Sequence, residues 1–228
     1  MKKTSIVLMT FATFLIVLFQ ALAGSAQVNN EMQRPTANKE VGSKAISYED
    51  MQQAYASEIT ASAKYESYSK KAEAEGYPQI AMLFKATSTA EMVHAINHKA
   101  VLEEQGQPVP YIIPEFMVKS TVENLNDALG GESYEITNIY PAFMSNADEG
   151  GDQMALVSLV YAYKTELKHK VFYEKALAAL KSNDVQSLPM VYYVCPTCGN
   201  TYDTMPPQRC AISLTSTEKF VTIDDLTL

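Results

Sequence analysis

Glu91 with His94 and Glu166 with His169 repeat one pattern, Glu-x-x-His, in which both side chains leave the same face of a helix. Glu132 and Glu135 form a third pair at the same spacing, and Glu58 stands alone. Each lies in the middle of an otherwise apolar stripe at helical spacing: Met51, Ala54, Glu58, Ala61, Tyr65, Tyr68; then Ile80, Phe84, Thr87, Glu91, His94, His98; then Leu125, Ala128, Glu132, Glu135, Ile139, Ala142; then Leu159, Ala162, Glu166, His169, Tyr173, Ala176. Four helices burying these stripes against one another would enclose five carboxylates and two imidazoles, with no Lys or Arg on the stripes to pair with them. Uncompensated burial costs several kcal/mol per carboxylate, so the anions require cations. Two divalent metals would supply +4 against the −5 of the five glutamates. Mixed carboxylate and imidazole donors suit iron or manganese, and Glu with Glu-x-x-His is how helical bundles hold two such ions. Glu58, Glu91, His94, Glu132, Glu135, Glu166 and His169 are therefore the candidate ligands.

The elements that must position them are legible from the punctuation. Ser47 suits an N-cap, with Glu49 and Asp50 in the first turn of the first helix. Gly76 is a stop and Pro78 a start for the second. A Pro-rich crossover through Pro108, Pro110 and Pro114 leads to the third, which Gly150 and Gly151 break before the fourth. Glu58 to Glu91 is 33 residues and Glu132 to Glu166 is 34, and Ala74-Glu75-Gly76 is matched by Asp148-Glu149-Gly150. Two hairpins with one ligand plan predict a pseudo-twofold four-helix bundle over 45–185. The halves differ where the third helix has Glu135 and the first has Ala61. His98 has no matching carboxylate and reads as a packed histidine near the bundle end. Tyr65 and Tyr140 are core aromatics or, in the polar reading, hydrogen-bond the ligand carboxylates.

A second, smaller unit is expected over 190–228. Cys195 and Cys198 form a Cys-x-x-Cys knuckle, Cys210 follows a turn containing Pro206 and Pro207, and Ser213 stands where a second knuckle would have its last cysteine. Three outcomes are open: a mononuclear iron or zinc site with the Ser213 oxygen as fourth ligand, a three-thiolate site completed by water, or a knuckle that holds no metal. The chain has 228 residues, three cysteines and a net charge of −8, with no Lys/Arg-rich run. That balance argues against nucleic-acid binding, and the cysteine count against a disulfide scaffold. Lys2 and Lys3 precede an apolar stretch ending in small residues, so 1–26 reads as a signal peptide or an uncleaved anchor, and 27–44 as a polar tether. The folded part is expected outside the cytoplasm, periplasmic or anchored facing outward.

The order of a Glu helix, a Glu-Gly turn, a Glu-x-x-His helix, a Gly-Glu-x-x-Glu helix, a second Glu-x-x-His helix and a terminal Cys-x-x-Cys module resembles rubrerythrin from about Ser47 onward. Ala81-Met82-Leu83-Phe84, Gly131-Glu132-Ser133-Tyr134-Glu135 and Tyr140-Pro141-Ala142-Phe143 carry the likeness, as does Glu218-Lys219-Phe220. Ser213 is the departure, since the family has a cysteine there. The resemblance implies an all-α ferritin-like bundle followed by a rubredoxin-like domain, with two non-haem irons in one and one iron in the other. It implies reduction of hydrogen peroxide to water, an electron donor of unknown identity, exchange of His94 for Glu135 at one iron, and a head-to-tail homodimer in which each rubredoxin-like centre lies beside its partner's di-iron site. The rival activity is ferrous-iron oxidation and sequestration by the same carboxylates.

Overall fold

The four stripes become four rods. The computed structural model describes residues 37–226, so segment 1–26 and most of the predicted tether lie outside the described residues. The rods are α1 (Ala37–Ala74), α2 (Pro78–Glu104), a third made of α3 (Thr121–Tyr134) and α4 (Tyr140–Glu149), and α5 (Gln153–Lys181). A π-helical turn, Glu135–Ile139, joins α3 to α4 without a break. Among the described residues no helix is long and apolar enough to cross a membrane.

Local chemistry sets most boundaries. Pro78 opens α2 at a position whose missing N–H has no intrahelical partner to lose. Ser120 and Glu123 form a reciprocal capping box at α3. Gly76 and Gly151 close α1 and α4 at positive φ, +84° and +67°, with Tyr77 N–H donating to the Ala72 carbonyl and Asp152 N–H to that of Ala147. Asp152 then caps α5 by accepting from Ala155 N–H.

Two expectations change. Helix α1 begins at Ala37, inside the stretch read as tether and ahead of the bundle boundary at 45. Ser47 is accordingly not its N-cap; its buried hydroxyl donates to Asp152 Oδ2 over 3.3 Å, tying α1 to the start of α5. In the third rod the predicted stripe holds to Glu132 and then slips: Tyr140, Phe143 and Ala147 are buried, whereas Ala142 is exposed. The π turn adds a residue to the helical repeat and advances every later side chain around the axis.

The bundle core is split by its own polar layer. Tyr65, Tyr68, Phe84, Leu125 and Tyr173 lead one apolar cluster, and Met51, Leu102, Tyr140, Phe143 and Leu159 lead the other. The carboxylates and imidazoles occupy the level between. After α5, residues 182–191 turn back along the bundle to a three-stranded antiparallel sheet of β1 (Tyr192–Val194), β2 (Thr201–Tyr202) and β3 (Val221–Ile223), in the order β2-β1-β3. The fold is a ferritin-like four-helix bundle followed by a small rubredoxin-like unit.

Candidate metal centre

Each rod delivers its glutamate to one point. Glu58, Glu91, Glu132 and Glu166 are all about 1% exposed or less, and they meet in two overlapping groups. Glu58, Glu91, His94 and Glu166 form one; Glu91, Glu132, Glu166 and His169 form the other; within each, one ligand atom per residue lies within 4.8 Å of the rest. Glu91 and Glu166 belong to both, so each could serve two metal positions. Nδ1 of His94 lies 2.9 Å from Glu91 Oε2 and 2.9 Å from Glu166 Oε1. Nδ1 of His169 lies 3.1 Å from Glu91 Oε1 and 2.8 Å from Glu166 Oε2.

The donor set fits two metal ions. Glu58 Oε2 and Glu132 Oε2 are buried without a hydrogen-bond partner, and Glu91 Oε1 and both Glu166 oxygens face nothing but the imidazole Nδ1 atoms, an arrangement that lone pairs in a dry interior tolerate when a cation faces them. The outward oxygens are held instead by tyrosines. Tyr65 donates to Glu132 Oε1 over 2.8 Å, and Tyr140 donates to Glu58 Oε1. Each group thus has one tyrosine hydroxyl on one of its carboxylates.

Glu135 is the one sequence-predicted ligand outside both groups. It opens the π turn, is half-buried, and accepts a hydrogen bond from Ser57 over 3.1 Å. His94 occupies the inward position at the first group while Glu135 faces a cavity of about 380 Å³ lined by Ser57, Ala61, Lys64, Tyr65 and Gly131. The small side chain of Ala61, opposite Glu135 in the repeat, is part of that opening. His98 is also outside both groups: it is buried, its Nδ1 is 2.8 Å from the Ser158 hydroxyl, its Nε2 is 3.9 Å from Glu58, and burial pushes its pKa down to about 3.

Without metal, protons take the place of the cations. Burial, reinforced by Glu91 and Glu135, lifts Glu58 well above the usual carboxylate range, and burial with Glu166 and Glu91 does the same to Glu132. Burial and the Glu166 and Glu91 charges push Glu135 up to about 8. Against the effect of burial, Glu91 and Glu166 raise His169 to about 9. Groups whose folded pKa is raised stabilise fully below their unfolded value and lose that contribution as pH rises through the folded one. From 4.5 to about 8 for Glu135 and 6.5 to about 9 for His169, the metal-free protein is therefore expected to lose melting temperature as pH rises. Calorimetry between pH 5 and 9 checks this; a divalent metal should flatten the slope, because metal binding displaces the same protons.

The cysteine module forms a second candidate centre. The Sγ atoms of Cys195, Cys198 and Cys210 are mutually within 4.8 Å, all three residues are fully buried, and none is in a disulfide. Ser213 Oγ lies 3.3 Å from Cys195 Sγ and 2.9 Å from Thr215 Oγ1, which donates to Thr197 over 2.7 Å. Hydrogen bonds from Cys198 and Ser213 hold the Cys195 thiol well below the usual thiol range. A soft donor set with one hydroxyl at its edge fits one iron or zinc ion.

Sequence reasoning did not find how the two centres meet. The module packs on α2 and α5 with the backbone after Cys198 against the imidazoles. Gly199, at φ +74°, lies so close to His94 that a Cβ there would be 2.3 Å from its Nε2. Thr201 Oγ1 lies 3.1 Å from His169 Nε2, and Thr165 donates to the Cys198 carbonyl over 3.2 Å. A glycine after a knuckle and two threonines are too common to signal such contacts on their own.

Comparison with known proteins accords with this geometry. The family model described as Rubrerythrin matches residues 49–177. Rubrerythrin-2 of Clostridium acetobutylicum is 30% identical over 77% of this chain and 96% of that protein, and nigerythrin of Nitratidesulfovibrio vulgaris is 32% identical over 75% and 84%. The solved structure of fully reduced, all-ferrous nigerythrin superposes with a TM-score of 0.69 at 31% identity, covering 77% of this chain and 86% of that one. A bacterioferritin of Desulfovibrio desulfuricans, 22% identical with a TM-score of 0.59 over 65% and 87%, shares the fold. The chain belongs to the rubrerythrin family.

Proposed function

We infer that the protein reduces hydrogen peroxide to water at the carboxylate cluster, with electrons entering through the cysteine module. The observation that carries this is the pair of groups sharing Glu91 and Glu166, each completed by one imidazole, at the dry centre of the bundle. Iron held there supplies two electrons at once, which suits cleavage of an O–O bond without release of a radical. The chain's own residues do the rest. Glu91 and Glu166 would hold the two ions as a unit, and Tyr65 and Tyr140 fix the orientation of Glu132 and Glu58. The cysteine module covers the imidazole side, so substrate is expected to arrive through the cavity at Ser57, Ala61 and Glu135. Lys64 at its rim, 2.9 Å from Asp127, adds positive charge near the opening. In this reading the leader-like segment 1–26 places the folded protein outside the cytoplasm, and the donor is an electron carrier of that compartment.

Anaerobic titration of the reduced protein tests the assignment. One equivalent of peroxide should oxidise the cluster rapidly and stoichiometrically, with slower oxidation by oxygen. Equal rates with the two oxidants would favour ferroxidase chemistry and overturn the peroxidase reading.

A further inference from the structure

We propose that Tyr65 and Tyr68 form a one-electron exit from the carboxylate centre, carrying an oxidising equivalent to a surface cavity beside Asp127 where a small soluble reductant quenches it. This rests on the peroxidase reading for its oxidant, but the path itself is built from side chains of α1, α2, α3 and α5 alone.

The need follows from an electron mismatch. A single metal in the cysteine site passes electrons one at a time, whereas peroxide removes two. The carboxylate centre therefore stands with one electron in every cycle, and peroxide that meets it then takes the second from an oxidisable side chain in contact. Tyr65 is in that position, with its hydroxyl on Glu132 Oε1 over 2.8 Å.

Tyr65 belongs to a group of four rings. Its centre lies 6.2 Å from that of Tyr68, 6.1 Å from Phe84 and 5.7 Å from Tyr173. Phe84 closes the group at 5.4 Å from Tyr68 and 5.5 Å from Tyr173. Among the described residues, Tyr140 on the Glu58 side takes part in no ring contact.

What separates the four rings is where a proton can go. A phenol gives up an electron readily only when a base accepts its proton at the same time. Phe84 has no such proton. Tyr173 donates over 2.8 Å to the buried Thr87 hydroxyl, a poor base that is itself committed to the Phe84 carbonyl. Tyr68 donates over 3.0 Å to Asp127 Oδ2, on a half-exposed carboxylate. Of the four, Tyr65 and Tyr68 alone have carboxylate acceptors, and they are neighbours. The Lys64 ammonium lies 5.3 Å from the centre of the Tyr65 ring and 6.0 Å from that of Tyr68. A cation at that range opposes a positively charged ring, so each phenol must lose its electron and proton together.

The end of the path is open. Tyr68 and Asp127 line a cavity of about 270 Å³ with Lys64, Lys119 and Asn124, near the lower end of the volumes that hold a small molecule.

The balance closes at each step. Peroxide with two protons takes two electrons and gives two waters; the centre supplies one, and the Tyr65 phenol supplies the other while its proton passes to Glu132 Oε1. The Tyr65 radical then takes an electron from Tyr68 and recovers its proton from Glu132, and the Tyr68 proton passes to Asp127. A one-electron reductant in the cavity restores Tyr68, with Asp127 returning the proton.

Electron paramagnetic resonance of the full-length, iron-loaded protein tests this. Partly reduced protein is mixed with excess peroxide and frozen, with and without ascorbate as the reductant. A transient tyrosine radical is expected, its signal narrowed by ring-deuterated tyrosine and removed by ascorbate. Tyr68→Phe keeps the ring and should lose the ascorbate effect, the radical persisting at Tyr65. Asp127→Asn keeps both phenols and should show the same loss, which decides the matter if the phenylalanine variant folds poorly. Ascorbate quenching as fast in the variant as in the wild type would overturn the proposal. Iron oxidised by peroxide with no tyrosine signal would overturn the proposal alone; iron left unoxidised by peroxide would overturn the peroxidase reading and the proposal with it.

Discussion

Glu166→Ala is expected to empty both metal positions and to lower peroxide turnover by more than about 100-fold. Removing a partner that merely orients a ligand costs about 10–100-fold in affinity or activity, and Glu166 is a donor common to both groups. The metal-free protein should suffer too. Although burial opposes its ionisation, His94 and His169 hold Glu166 well below the usual carboxylate range. The two imidazoles lie 2.9 and 2.8 Å from its oxygens. Taking away one partner of a buried charge pair costs about 3–5 kcal/mol. Glu166→Gln keeps the volume and separates the terms: metal content should fall as in the alanine variant while helicity by circular dichroism is retained. A variant that still binds two metals per chain would remove Glu166 from the shared position.

Ser213→Cys is expected to raise the reduction potential of the iron-loaded cysteine centre by about 60 mV or more, at least one power of ten in the ferric-to-ferrous ratio at 59 mV each. An oxygen donor is harder than a thiolate and favours the ferric ion; replacing it by sulfur reverses that preference. The geometry permits the exchange, because Ser213 Oγ already lies 3.3 Å from Cys195 Sγ in the loop that carries Cys210. Thr215, which hydrogen-bonds Ser213 and donates its own hydrogen bond to Thr197, keeps the serine hydroxyl in the site rather than in solvent. The visible spectrum should become that of a four-thiolate iron centre. An unchanged spectrum and potential would show that Ser213 is not a ligand.

Much of the centre was legible because its chemistry is periodic. Glutamate and histidine at helical spacing inside apolar stripes conflict with burial, and only a cation resolves the conflict; hence Glu58, Glu91, Glu132, Glu166, His94 and His169 were readable from a single chain. The position of Glu135 was not, since whether it turns inward depends on Ser57 from another helix, 78 residues away. Ser47 misled for a similar reason. Before Glu49 and Asp50 it has the composition of a helix start, but its partner is Asp152, 105 residues on. The seat of the cysteine module was invisible, because Gly199, Thr201 and Thr165 act through single tertiary contacts that leave no repeat in the sequence.

The π turn settles where the two halves of the chain diverge. Matched by their left-handed closing glycines, Gly76 corresponds to Gly151 and not to Gly150. The return legs, Gly76 to Glu91 and Gly151 to Glu166, are then both 15 residues, whereas the outward legs are 18 from Glu58 and 19 from Glu132. The surplus residue lies in the third rod, and the wide turn beginning at Glu135 absorbs it. One added residue rotates the remainder of the rod by about 100°, and the rotation brings Tyr140 onto Glu58. A single insertion in one copy of a duplicated hairpin thus coincides with the extra carboxylate, the cavity beside it and the altered register, and gives an otherwise twofold centre a front and a back.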